Sequence, residues 1–128
     1  QVESLHLPGH SADGMGYWIP DQKMMIAGIL LPRADRPTRW DLPSGCLPDV
    51  ISSLKKIRAL HPQSLIPMQG PAIKGERHVK EVLNMHIDFF KSCIENNGQV
   101  PVSVPRPAQT ALWYTPHPPW PLEENESL

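Results

Sequence analysis

Leu5-His6-Leu7-Pro8-Gly9-His10-Ser11-Ala12-Asp13-Gly14 is the stretch on which the fold turns. It reads as a strand that runs into Pro8-Gly9, a pair that breaks any regular element. The loop beyond presents one histidine among small residues. The same pattern returns downstream. Gly16-Tyr17-Trp18-Ile19 and Met24-Met25-Ile26-Ala27-Gly28 read as a hairpin-like pair joined by Pro20-Asp21-Gln22-Lys23, and Leu65-Ile66-Pro67-Met68-Gln69-Gly70-Pro71 runs a short apolar strand into a Gly-Pro loop. Residues 1–32 thus predict three short strands, with Trp18, Ile19, Met25 and Ile26 in the sheet core.

Between these strands the period changes. Arg33 to Pro48 is loop-like, with Pro37, Pro43, Gly45 and Pro48. From Pro48 to Leu60, Val50, Ile51, Leu54, Ile57 and Leu60 recur at helical spacing while Lys55, Lys56 and Arg58 face solvent. Pro48 suits a first helical turn, and His61-Pro62 ends the element. A longer helix is predicted from about Gly75 to Asn97, with Val79, Val82, Leu83, His86, Phe90, Cys93 and Ile94 as its buried stripe and Gly98 closing it.

The order of strand, loop and helix resembles the C-terminal half of the metallo-β-lactamase superfamily over roughly residues 1–95. That family has a P-G-H-[ST] loop with a metal-binding histidine, a strand end of the type x-A/S-G-D-x-L-[FP] with a bridging aspartate, and a P-G-H-G-P loop with a last histidine. Pro8-Gly9-His10-Ser11 matches the first. Ile26-Ala27-Gly28-Ile29-Leu30-Leu31-Pro32 follows the second with Ile29 at the aspartate position, and Pro67-Met68-Gln69-Gly70-Pro71 follows the third with Gln69 at the histidine position. The family's H-x-H-x-D-H motif is absent. The fold class implied is α/β: half of a metallo-β-lactamase-like αββα sandwich, over residues 1–98, followed by an extended proline-rich tail over 99–128.

Composition bounds the rest. A chain of 128 residues makes one domain with a modest core. Its net charge is −1 with acidic and basic residues interspersed, so there is no electrostatic footprint for nucleic acid. The longest apolar run, Met24 to Leu31, is too short to span a bilayer. Gln1-Val2-Glu3-Ser4 has neither the basic region nor the apolar core of a secretory leader. Opening without Met, the chain is expected to be a fragment, a processed product or part of something longer. Cys46 and Cys93 are isolated thiols that suit neither a zinc knuckle nor a disulfide framework, and a cytoplasmic setting is the expectation.

Superfamily hydrolases use one or two metals, usually zinc, to turn bound water into a nucleophile, and catalytic zinc sites need three protein ligands. Here His10 stands at a family ligand position, Ile29 cannot coordinate, and Gln69 offers only a neutral amide oxygen. The alternative for His10 is a loop histidine hydrogen-bonded to backbone. Asp13 either substitutes as a ligand or is a turn residue before Gly14. His6, in a strand, is expected to be partly buried and structural. His86 reads as a satisfied core histidine and His78 as a residue near a helix start able to reach a cleft. His61 and His117 precede prolines and carry no signal.

A half sandwich has an exposed side. In the complete fold each sheet buries the other's inner face, so this half alone leaves an apolar sheet exposed. The expected cover is the missing half, a second copy or another chain, or the tail carrying Trp113, Tyr114 and Trp120. The tail's proline runs favour polyproline backbone and also suit an aromatic groove on a partner. The leading expectation is a catalytically silent half-domain acting through protein contacts, as subunit or scaffold, with no cofactor, nucleic acid or membrane partner. The alternative is a metal-dependent hydrolase of an ester, thioester, lactam or phosphodiester, with zinc or another divalent metal. Its H-x-H-x-D-H half then lies elsewhere in a longer chain or in another chain. A third reading is a proline-tailed interaction module.

Overall fold

A computed structural model describes residues 1–40 and 44–97 of the chain. The segment 99–128, with Trp113, Tyr114 and Trp120, and the predicted helix-closing Gly98 lie outside the described residues. Five strands form one sheet: β1 (Glu3–His6), β2 (Met15–Ile19), β3 (Met24–Gly28), β4 (Ser64–Pro67) and β5 (Ile73–Lys74), in the order β1-β2-β3-β4-β5. All neighbours are antiparallel except β3 and β4, which run parallel. A parallel neighbour requires a crossover, and helix α1 (Leu47–Ala59) supplies it, while α2 (Glu76–Glu95) follows β5. The strands and helices follow the α/β order expected from the sequence, with β5 added.

Strand alternation decides which face is covered. Trp18, Met25, Leu65 and Ile73 are register partners in one row across the sheet, and all four are buried beneath the helices. The next row, Ser4, Tyr17, Ile26 and Ile66, points the other way, and there Tyr17 is 45% exposed while Ile26 and Ile66 are half-buried. Met15 on the same side is also exposed. Ile19 and Ile26, predicted in the core, therefore sit on the less covered face, because they lie an odd number of residues from Trp18 and Met25.

α1 starts one residue before Pro48, with Asp49 in the first turn and Lys56 and Arg58 in the last, charges that suit the helix dipole. Its stripe of Val50, Ile51, Leu54 and Ile57 is buried as predicted, and Leu60 caps it half-buried. In α2 the stripe is wider than the sequence pattern predicts: Ile87 and Phe89 are buried too, whereas Ile94 is exposed near the helix end. Phe89 and Phe90 meet edge-on at 5.4 Å, and Trp40 packs against Phe90 at 5.6 Å. That aromatic cluster pins the end of the 29–40 loop onto α2. Asn97, at φ 59°, takes the left-handed position expected of Gly98. β5 has no signature in the sequence, since two residues carry no period.

Candidate functional site

The Pro8-Gly9 turn is built against α1. Gly9 has φ 141°, and a Cβ there would lie 2.5 Å from Val50 Cγ2 and 2.6 Å from Val50 Cα. Only glycine lets the turn approach the helix so closely. Ser53 Oγ donates to the Pro8 carbonyl at 2.6 Å, and Cys46 N–H donates to the Gly9 carbonyl at 2.8 Å. The histidine loop is thus clamped to the start of α1.

His10 emerges half-buried from this clamp. Its Nδ1 lies 3.2 Å from the Arg39 carbonyl and 3.2 Å from Thr38 Oγ1. Thr38 is fully buried, and its hydroxyl proton goes to the Ile29 carbonyl at 2.9 Å. A carbonyl only accepts, so Nδ1 carries the proton and shares it between Arg39 and Thr38, which fixes the tautomer. Nε2 makes no hydrogen bond among the described residues. His10 is hydrogen-bonded to backbone through Nδ1, and its Nε2 is left over.

Thr38 joins the His10 loop to the Ile29 loop. Met68 N–H donates to the Leu31 carbonyl at 2.9 Å and Gln69 N–H to the Pro32 carbonyl at 2.9 Å, knitting the Ile29 loop to the Gln69 loop. The structure therefore brings His10, Ile29 and Gln69 to one end of the sheet. Ile29 is half-buried and Gln69 exposed. Asp13 accepts from Ser11 Oγ at 2.9 Å within its own exposed turn. The metal implied by the resemblance does not fit these donors: one imidazole, an isoleucine and a neutral amide. Among the described residues no three His, Cys, Asp or Glu side chains come together.

The other histidines separate. His6 is exposed rather than partly buried, because β1 is an edge strand, and its Nε2–H donates to the Ala12 carbonyl at 2.6 Å. His78 is exposed on the first turns of α2. His86 is fully buried, donating from Nε2 to the Ala34 carbonyl at 2.7 Å. Its Nδ1 has no partner among the described residues, so it is a half-satisfied core histidine. Burial pushes its pKa down to about 4, against the opposing pull of the Ala34 carbonyl and Asp35. Sequence reasoning missed Thr38, which links the His10 and Ile29 loops and has no local signal along the chain.

No protein-family model matches the chain. It is 28% identical over 91 residues to the linear primary-alkylsulfatase of Pseudomonas sp. (strain ATCC 19151), taking in 69% of this chain but 17% of that protein. Among solved structures, it is 32% identical to a protein crystallised in a di-iron-bound form, with a TM-score of 0.51 over 57% of this chain and 37% of the other. A metallo-beta-lactamase family protein from Thermus thermophilus gives a TM-score of 0.59 at 18% identity, over 74% of this chain and 32% of the other. A B3 metallo-beta-lactamase gives 0.55 at 21% identity, over 66% and 39%. The chain spans well under half of each of these proteins.

Proposed function

We propose, for a chain that belongs by its fold to the metallo-β-lactamase superfamily, that it works by binding and protein contact and performs no metal-dependent hydrolysis of its own. The observation that carries this reading is the donor set at the converged loops, where His10 is the single strong ligand beside Ile29 and Gln69. The side of the sheet bearing Met15, Tyr17, Ile26 and Ile66 is the contact surface in this reading, because apolar side chains there want a covering layer. The cover is a second copy or another protein chain. We keep the cytoplasmic setting, which accords with two unpaired thiols. No helix among the described residues is long and apolar enough to cross a membrane.

A second reading rests on His10 alone. Metal-bound histidines usually donate their other ring N–H to a carbonyl or carboxylate, and His10 Nδ1 does this toward Arg39. With an H-x-H-x-D-H half supplied by a longer chain or a partner, Nε2 would complete a single-metal hydrolase site. The related alkylsulfatase keeps sulfate esters in view as a substrate class for that version.

Native mass spectrometry of the chain prepared with zinc or manganese separates the two. A metal-free dimer or hetero-complex, broken by Tyr17→Glu, supports the contact role. A metal retained by the chain and lost in His10→Ala would overturn it in favour of the hydrolase.

A further inference from the structure

Residues 29–40 follow β3 and hold the loops of the candidate site, yet they contain no helix or strand beyond the Arg33–Arg36 bridge. Their attachments lie at separate points. Thr38 Oγ1 donates to the Ile29 carbonyl and meets His10 Nδ1, and the Arg39 carbonyl accepts from the same ring. The Leu31 and Pro32 carbonyls accept from the Met68 and Gln69 amides. On the helix side, Trp40 packs on Phe90, and His86, one turn earlier on α2, reaches Ala34. The segment is a strap between α2 and the loops carrying His10 and Gln69.

The His86 attachment works in one protonation state. Nε2–H donates to the Ala34 carbonyl at 2.7 Å, so Nδ1 carries the lone pair, fully buried and without a partner among the described residues. A second proton would put a charge there and an N–H with no acceptor, which burial makes costly. The elements packed on α2 offer no remedy. Leu65 and Ile73 on the sheet and Leu54 and Ile57 on α1 are buried and apolar. Arg58, the α1 cation that reaches α2, donates to Asn84, and Lys74 of β5 is exposed. The charges beside Ala34 are Arg33 and Asp35, paired at 2.9 Å, and Arg36. Desolvation outweighs the pull of the Ala34 carbonyl and Asp35 and lowers the pKa of the ring to about 4.

We propose that the 29–40 segment is an acid-sensitive strap: a proton taken up by His86 at Nδ1 releases it from α2, freeing His10 and the Gln69 turn together while the sheet and helices stay folded. Lifting the strap uncovers the ring, which in water takes its proton near 6.5. Each pH unit below that value then favours the open strap about tenfold, and about 300-fold in all by the time the folded ring itself titrates. The sites of His10 and Gln69 loosen as one because the strap holds both. This inference is independent of the contact role.

The test is amide hydrogen exchange of the full chain across the range from pH 6.5 to 4, corrected for the intrinsic exchange rate. The reporters are the Arg36, Met68 and Gln69 amides, which donate to strap carbonyls, against amides of β3 and the middle of α2. The strap reporters should be the less protected at every pH, and their opening constant should rise about 300-fold across the range. His86→Gln keeps a donor for the Ala34 carbonyl without the titration, and there the rise should vanish. Equal protection of strap and core amides would mean that the strap opens only with the whole fold, which would overturn the proposal. So would an opening constant that ignores pH, or a pH dependence that survives in His86→Gln. The comparison of strap with core in the wild type needs no variant.

Discussion

The ring of His10 and the hydroxyl of Thr38 meet at 3.2 Å, and the proton between them belongs to the histidine. Thr38 has spent its own on the Ile29 carbonyl, 2.9 Å away. One buried hydroxyl therefore sets the orientation of the loop histidine and ties it to the position where the superfamily has an aspartate.

Thr38→Val removes that link while keeping the shape of the side chain. It leaves the Ile29 carbonyl without its donor in a buried place, which costs about 1–3 kcal/mol. Urea unfolding should show that loss, and the His10 ring should stay protonated on Nδ1 because the Arg39 carbonyl still accepts. Unchanged stability would mean that the hydroxyl is not holding the loops together.

Gly9→Ala should be far more damaging than its size suggests. The new methyl would meet the backbone of Val50 at 2.6 Å, at a φ of 141° that side chains rarely adopt. Strain plus displacement of α1 is expected to cost about 3 kcal/mol or more. Thermal melting compared with Gly70→Ala, where the nearest atoms are 3.8 Å away, isolates the steric part.

Acid should weaken the fold through His86. Folded, the ring holds its proton only below about 4; unfolded, it takes one near 6.5. Between those values the unfolded chain binds more protons, so stability falls as pH drops from about 6.5 to about 4 and then levels. The full span amounts to roughly 3–4 kcal/mol. Chemical unfolding across that range should show the slope, and His86→Leu should flatten it.

Restoring ligands should restore metal. The double substitution Ile29→Asp and Gln69→His adds a carboxylate and an imidazole beside His10, three donors on loops the structure already brings together. Zinc affinity by calorimetry should rise at least about a hundredfold over the parent chain, a gain that His10→Ala abolishes. No gain would show that the loops do not converge closely enough.

Cys93 should resist thiol reagents until the chain unfolds. It is fully buried in α2, and burial pushes its pKa up to about 12. Cys46, half-exposed at the start of α1, should label first in the native state. Equal labelling would place Cys93 outside the core.

Much of the fold was legible along the chain because its signals are local. Pro8-Gly9, the helical spacing of Val50, Leu54 and Ile57, and the stripe from Val79 to Cys93 record preferences that a segment expresses by itself. The wrong placements came at edges and ends. His6 is exposed because β1 has a neighbour on one side only, and Ile94 because α2 outruns its support. Ile26 misleads because alternation along a strand does not say which face the helices cover.

At the candidate site, the order of residues sets which groups are on offer: one imidazole at residue 10, a hydrocarbon at 29 and an amide at 69. Which groups meet is a matter of packing. Thr38 reaches His10 across 28 residues and His86 reaches Ala34 across 52, distances over which no periodicity carries information. Those meetings are set by where the sheet and helices pack. Packing is cooperative among many side chains, so the tautomer of His10 and the isolation of His86 exist only once the whole core has closed.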